Sequence, residues 1–197
     1  MRRDGNLARH SAEHLLADNC PMTTSDPNPA TLRRRSLSVL LATGVGVGQI
    51  VPAPGTIGAA VFGLPLAWAI GQLPGVGWQL AAIVVLNLIG IPLTTAAGRA
   101  LGGEKDNQAI VWDEIATLPV VFVFVPLSSW SVALVGFALH RLLDITKPPP
   151  ARQLERLPDG LGVMADDWMA SIYACGLMAG LAWLDQNAGW GLLSGGG

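Results

Sequence analysis

The sequence predicts an all-α, multi-pass helical membrane protein with about five spans and one re-entrant or interfacial segment. Three observations predict it. Of 197 residues, 51% are hydrophobic and only 13% charged, where a soluble domain carries about a quarter charged residues. No Asp, Glu, Lys, Arg or His occurs between Ser36 and Gly98. The acids that follow come in tight groups, Asp113-Glu114, Asp144 and Asp166-Asp167, each at the end of an apolar stretch and none in its middle.

A spanning helix needs about 20 mostly apolar residues. Residues 1–35 are polar, with Pro, Asn, Ser, Asp and Arg, and read as a flexible tail ending in Arg33-Arg34-Arg35. The stretch lacks the apolar run of a secretory signal. Ser36–Pro54 carries Gly44, Gly46 and Gly48 and makes a poor straight span, so a re-entrant or interfacial path is expected. Ile57–Leu73 and Trp78–Ala97 are long enough to cross, with Pro74-Gly75 as the turn between them. A single helix from Ile110 to Lys147 would rise about 57 Å, far beyond a hydrocarbon core of about 30 Å. Pro126 and Ser128-Ser129 break it into a hairpin of two spans, Val111–Leu127 and Trp130–Ile145. A last span covers Trp168–Leu184, within a membrane domain of residues 36–186, and residues 187–197 read as a flexible tail.

Arg33–Arg35, Arg99 with Lys105, and the basic residues from Arg141 to Arg156 flank the spans on one side, while the turns at Pro74–Gly77 and Leu127–Trp130 carry no charge. Basic loops stay cytoplasmic, so the acid-bearing side is expected to face the cytoplasm. A net charge of -2 and no basic stripe with interleaved aromatics exclude a nucleic-acid partner as an expectation. Cys20 lies in the polar tail and Cys175 in an apolar segment, so no disulfide between them is expected.

Four motifs carry chemistry. Pro52-Ala53-Pro54-Gly55-Thr56 leads into an apolar helix, with Thr56 as an expected N-cap. Free N–H groups at Gly55 and Thr56 would suit an anion, although a simple cap is the commoner meaning of such a tripeptide. In Val111-Trp112-Asp113-Glu114, neighbouring helical residues point about 100° apart. One acid can therefore bind a cation while the other holds a basic side chain, or both can be solvated at a helix start. Arg141, Asp144 and Lys147 follow i, i+3, i+6 spacing before Pro148-Pro149-Pro150, on one helical face. They can pair among themselves or clamp a phosphate beside a metal-holding Asp144; His140 nearby reads as structural. Gly160-Leu161-Gly162 precedes Asp166-Asp167 at the start of the last span, and adjacent carboxylates suit a hard divalent cation such as Mg²⁺.

Pro54-Gly55-Thr56, Trp112-Asp113-Glu114, Arg141-Leu-Leu-Asp144-Ile-Thr-Lys147-Pro148 and Gly162-Val-Met-Ala-Asp166-Asp167 occur in that order over roughly Leu37–Leu184. Together they resemble the phosphatidylglycerophosphatase A family of bacterial membrane lipid phosphatases. Ala59 departs from the small hydroxyl residue found in many relatives, and the Pro52-Ala53 insert varies among them. The resemblance implies hydrolysis of phosphatidylglycerophosphate to phosphatidylglycerol and phosphate, dependence on Mg²⁺, a role in phospholipid biosynthesis, and a place in the bacterial inner membrane. On that reading some of Asp113, Glu114, Asp144, Asp166 and Asp167 hold Mg²⁺ and do the catalysis, while Gly55, Thr56, Arg141 and Lys147 bind the substrate phosphate. The chain lacks Asp-x-Asp-x-Thr and Cys-x5-Arg signatures, which favours direct attack by water over a phospho-enzyme. The alternative from another class is a small ion or solute transporter using membrane-edge carboxylates. Its midplane charges and repeated halves are absent from the sequence pattern.

Overall fold

The structure, a computed structural model, describes residues 37–103 and 107–193. The expected tail over residues 1–35, with Arg33–Arg35, lies outside the described residues, as does Lys105. All regular structure among the described residues is helical. A short helical stretch over residues 37–42 leads through glycine turns into a 3-10 turn, Val47–Gln49. Six helical elements follow: α1 (Pro54–Gly71), α2 (Val76–Ala100), α3 (Trp112–Thr117), α4 (Trp130–Thr146), α5 (Ala151–Leu154) and α6 (Asp159–Ala188).

Residues 37–50 are not among the described stretches long and apolar enough to cross a membrane. Gly44 and Gly46 take positive φ (58° and 87°) to reverse the chain. A Cβ at Gly48 would collide with the carbonyl of Ala109, and the Val111 N–H donates to Ala42 O at 2.8 Å. The segment is thereby fastened to the approach to α3, with Leu37, Leu41, Val45 and Ile50 left exposed. In α1 the N-cap is Ala53, in the left-handed region, and Pro54 takes the first helical position. Thr56 is thus inside the first turn and makes no cap, a correction to the sequence expectation. Pro65 has no N–H to return to the preceding turn, and α1 widens there into a π turn over Ala59–Gly63.

The larger correction concerns the expected span Val111–Leu127. It is a discontinuous leg: α3 gives way to a 3-10 turn, Leu118–Phe122, with Pro119 at its start, then to irregular chain as far as Ser129, which caps α4. Irregular backbone at membrane depth needs protein partners for its polar groups. Asn87 of α2 supplies one, its buried Nδ2 donating to Ala116 O at 3.0 Å and to Ile83 O at 2.8 Å. Thr117 Oγ1 donates to Asp113 O at 2.8 Å. Leu118, Val121 and Phe122 of this leg form the main core with Val132, Ala174 and Met178. Among the described residues two stretches, Pro54–Gly71 and Val76–Ala100, are long and apolar enough to cross a membrane, fewer than the five expected.

Small residues let the other helices approach. A Cβ at Gly160 would collide with Thr94, Thr95 and the Ile91 carbonyl, and the Gly160 N–H donates to Thr95 Oγ1 at 2.9 Å, so the start of α6 lies against the end of α2. Arg99 and Asp159 pair at 3.0 Å at the same end. Gly136 of α4 accommodates the Phe122 ring. The surface of α2 is inverted relative to a soluble helix: Asn87, Gly90 and Thr94 face inward, while Leu80, Val84, Val85, Leu88 and Ile89 are exposed. Trp78, Trp130 and Trp190 are 68%, 83% and 65% exposed at the bundle end where α2 and α4 begin and α6 finishes. The boundary expected at residue 187 falls inside α6, and Asp185 accepts the N–H groups of Leu192 (2.9 Å) and Leu193 (2.8 Å) just beyond it.

Candidate active site

At the opposite end of the bundle the starts of α1, α3 and α6 and the end of α4 enclose a cavity of about 490 Å³. All nine residues singled out in the sequence line it: Gly55 and Thr56 from α1, Asp113 and Glu114 from α3, Arg141 and Asp144 from α4, Lys147 just after α4, and Asp166 and Asp167 from α6. Segments up to 112 residues apart in sequence thus meet because four helix ends converge there.

The two acids of α3 do different things, as their angular offset requires. Glu114 turns to Arg141, its Oε2 2.5 Å from Nη1, and the same Nη1 donates to Asp144 Oδ2 at 2.9 Å. Gly55 makes this possible, since a Cβ there would collide with the Glu114 carboxylate. Asp113 is buried, and its Oδ1 has no hydrogen-bond partner. Lys147 ends α4 in the left-handed region (φ 43°), because Pro148 disfavours a further helical residue before it. The bend carries its Nζ to Asp166 Oδ2 at 2.7 Å and within 3.4 Å of Glu155 Oε2. The helical ladder expected through Lys147 therefore stops at Asp144, yet Lys147 still reaches the cavity.

Asp166 and Asp167 precede Trp168, where the apolar part of α6 begins. Burial pushes both carboxyl groups above the usual carboxylate range. The Lys147 hydrogen bond and charge oppose this at Asp166, whereas Asp113 and Asp144 reinforce it at Asp167. Asp166 Oδ1 and Asp167 Oδ2 join Asp113 Oδ1 as buried oxygens without a hydrogen-bond partner, and Arg141 Nε is a buried donor in the same condition. Six carboxylates line the cavity against two cationic side chains, counting Glu155. Among the described residues no three His, Cys, Asp or Glu side chains form a ready-made metal cage. Mg²⁺ does not need one: it takes one or two carboxylates and fills its shell with waters and substrate phosphate. The excess of acids and the three orphaned oxygens fit such an ion.

Glu155, reached only after the proline turn and α5, was missed in the sequence; its signal is a lone acid among the basic residues Arg152 and Arg156. Gln108 also lines the cavity without having been foreseen. His140 stays structural: it is fully buried, away from the cavity lining, with Nδ1 3.1 Å from Ser171 Oγ across the α4–α6 contact.

Residues 40–182 match the family model described as phosphatidylglycerophosphatase A. A phosphatidylglycerophosphatase A of Haemophilus influenzae is 40% identical over 136 residues, covering 68% of this chain and 82% of that protein. Its Escherichia coli counterpart of the same name is 33% identical over 142 residues, covering 71% and 80%. A Bacteroides thetaiotaomicron protein, whose name proposes a phosphatidylinositol-3-phosphatase, is 34% identical over 154 residues, covering 75% and 95%. No solved structure matches the chain.

Proposed function

The chain belongs to the phosphatidylglycerophosphatase A family, and from that premise we propose that it hydrolyses the terminal phosphate monoester of phosphatidylglycerophosphate, with Mg²⁺ as cofactor, at the cytoplasmic face of a bacterial inner membrane. The observation that carries the reading is the single cavity in which acids with orphaned oxygens stand beside Arg141 and Lys147 at one end of an apolar bundle. A phosphate would be repelled by six acids unless a cation came with it.

Asp113, Asp166 and Asp167 would hold the ion, which supplies Lewis-acid stabilisation of the phosphoryl oxygens and a more acidic water when bound. Arg141, fixed by Glu114 and Asp144, would supply a positive charge to the phosphate. Lys147 adds a second positive charge as the P–O bond to the lipid breaks. Gly55 and Thr56 line the same space, and the first N–H groups of a helix, which have no acceptor within it, would add donors there. Water is the nucleophile in this proposal, since the chain carries neither signature of a covalent phosphatase.

The topology follows the same logic. The five described Lys and Arg residues, Arg99, Arg141, Lys147, Arg152 and Arg156, all lie at the cavity end, and the exposed Trp78, Trp130 and Trp190 lie at the other. With five legs crossing the bilayer, the third being α3 and its discontinuous continuation, the cavity would open at the cytoplasmic interface. The transporter alternative has no support: the acids gather at one end, and the family is one of phosphatases. The test is phosphate release from phosphatidylglycerophosphate by purified protein in detergent, with Mg²⁺ and with EDTA. Release that needs Mg²⁺ supports the reading; equal release in EDTA removes the metal from it, and no release in either refutes it.

A further inference from the structure

Just outside the cavity, the surface between α4 and α6 carries a second, shallower groove of about 450 Å³, lined by Leu143, Pro148, Ile172, Tyr173, Gly176 and Leu177. We propose that this groove seats one acyl chain of the phospholipid substrate while its phosphate occupies the cavity, an inference that rests on the lipid phosphatase reading above. The two spaces share a wall one residue thick. Leu143 and Pro148 line the groove, while their neighbours Asp144 and Lys147 line the cavity, so the Lys147-Pro148 bend is the lip between them.

The chemistry changes abruptly across that lip. The cavity is charged, whereas the groove is apolar apart from Tyr173, whose hydroxyl is engaged as a donor to Pro149 O at 2.8 Å. A molecule that fits both must carry a phosphate at one end and a hydrocarbon at the other. Length agrees: Leu177 lies about 17 Å along α6 from Asp166 at 1.5 Å per residue, close to half of a hydrocarbon core of about 30 Å. Gly176 forms the floor, with open space where a Cβ would stand. An acyl chain gains little affinity on leaving bilayer for groove, since lipid tails are as apolar as its walls. The groove acts by orientation instead, fixing the line along which the headgroup enters.

The test fills the groove without touching the cavity. Gly176→Phe places a ring in the groove about 15 Å along α6 from Asp166, at a residue that does not line the cavity. Turnover of dioleoyl phosphatidylglycerophosphate in mixed micelles, and of its soluble deacylated form, which has no chain to seat, is measured with the full chain and Mg²⁺. The expected result is a fall of about tenfold in the dioleoyl-to-deacylated ratio of kcat/KM. Gly71→Phe, equally open but remote at the end of α1, leaves the ratio unchanged. An unchanged ratio in Gly176→Phe overturns the proposal. So does an equal loss on both substrates, or a change in particle mass in detergent, which would make the groove a contact between copies of this chain. A wild-type protein inactive on both substrates would instead overturn the phosphatase reading itself.

Discussion

Gly55→Ala isolates the geometry of the cavity from its charges. The substitution keeps the backbone N–H and the helical start, and it adds one methyl group that collides with the Glu114 carboxylate. Glu114 is the flexible end of a side chain, so the overlap is relieved by rotation at small steric cost. Alanine also favours the helix over glycine by about 0.8–1 kcal/mol. Global stability should therefore change by no more than about 1 kcal/mol, or roughly 2–4 °C in Tm for a chain of this size. What is lost is the Glu114–Arg141 pair, whose side chains are only 13% and 18% exposed. Asp144 still holds Arg141 at 2.9 Å, which keeps the cost to the fold small, but a guanidinium no longer aimed by Glu114 should lose about 1.4–2.7 kcal/mol of transition-state stabilisation, or ten- to a hundredfold in kcat/KM. Phosphate release in detergent and a thermal melt on the same preparation decide it. Full activity in Gly55→Ala would refute the claim that Glu114 must aim Arg141. A collapse in Tm would show that Gly55 serves the fold.

Asp166→Asn removes a charge from the cation site and leaves Lys147 only a neutral amide acceptor, and should lower turnover by about a hundredfold or more with insertion into membranes unchanged; wild-type rates would remove Asp166 from the site. Asp144→Asn should behave alike, since it loosens Arg141. Mg²⁺ at about a hundred times its Kd should stabilise the folded protein by about 2.7 kcal/mol, raising Tm by roughly 5–10 °C. The same addition to a protein carrying both Asp166→Asn and Asp167→Asn should shift Tm far less, and an equal shift would place the ion elsewhere. Asn87→Leu leaves the Ala116 carbonyl without its donor and should cost about 1–3 kcal/mol of stability, read as a lower Tm. An unchanged Tm would mean the discontinuous third leg does not depend on that bond.

The cavity was legible because charge is conspicuous in an apolar chain. Asp113-Glu114, Arg141 with Asp144, and Asp166-Asp167 each mark a helix end, and helix ends on one side of a bundle meet. The fold was legible as helices but not as spans. Leu118, Val121 and Phe122 are as apolar as lipid-facing residues, and composition does not distinguish a buried irregular leg from a membrane helix. The clue lay elsewhere, in Asn87, a lone amide in an otherwise apolar helix, where it donates to the Ala116 carbonyl. Pro148 announced the end of α4 but not the direction of Lys147, which the left-handed bend sends to Asp166. Glu155 stayed hidden because its approach to Lys147 depends on the path of the proline turn, which sequence spacing does not encode.

The account rests on one site where the acids of α3 and α6 hold a divalent cation together. Mn²⁺ bound to the purified protein and followed by electron paramagnetic resonance tests this most directly. The account predicts one tight Mn²⁺ per chain, displaced by Mg²⁺, and lost in both Asp113→Asn and Asp167→Asn. Tight Mn²⁺ binding that survives both substitutions would contradict it.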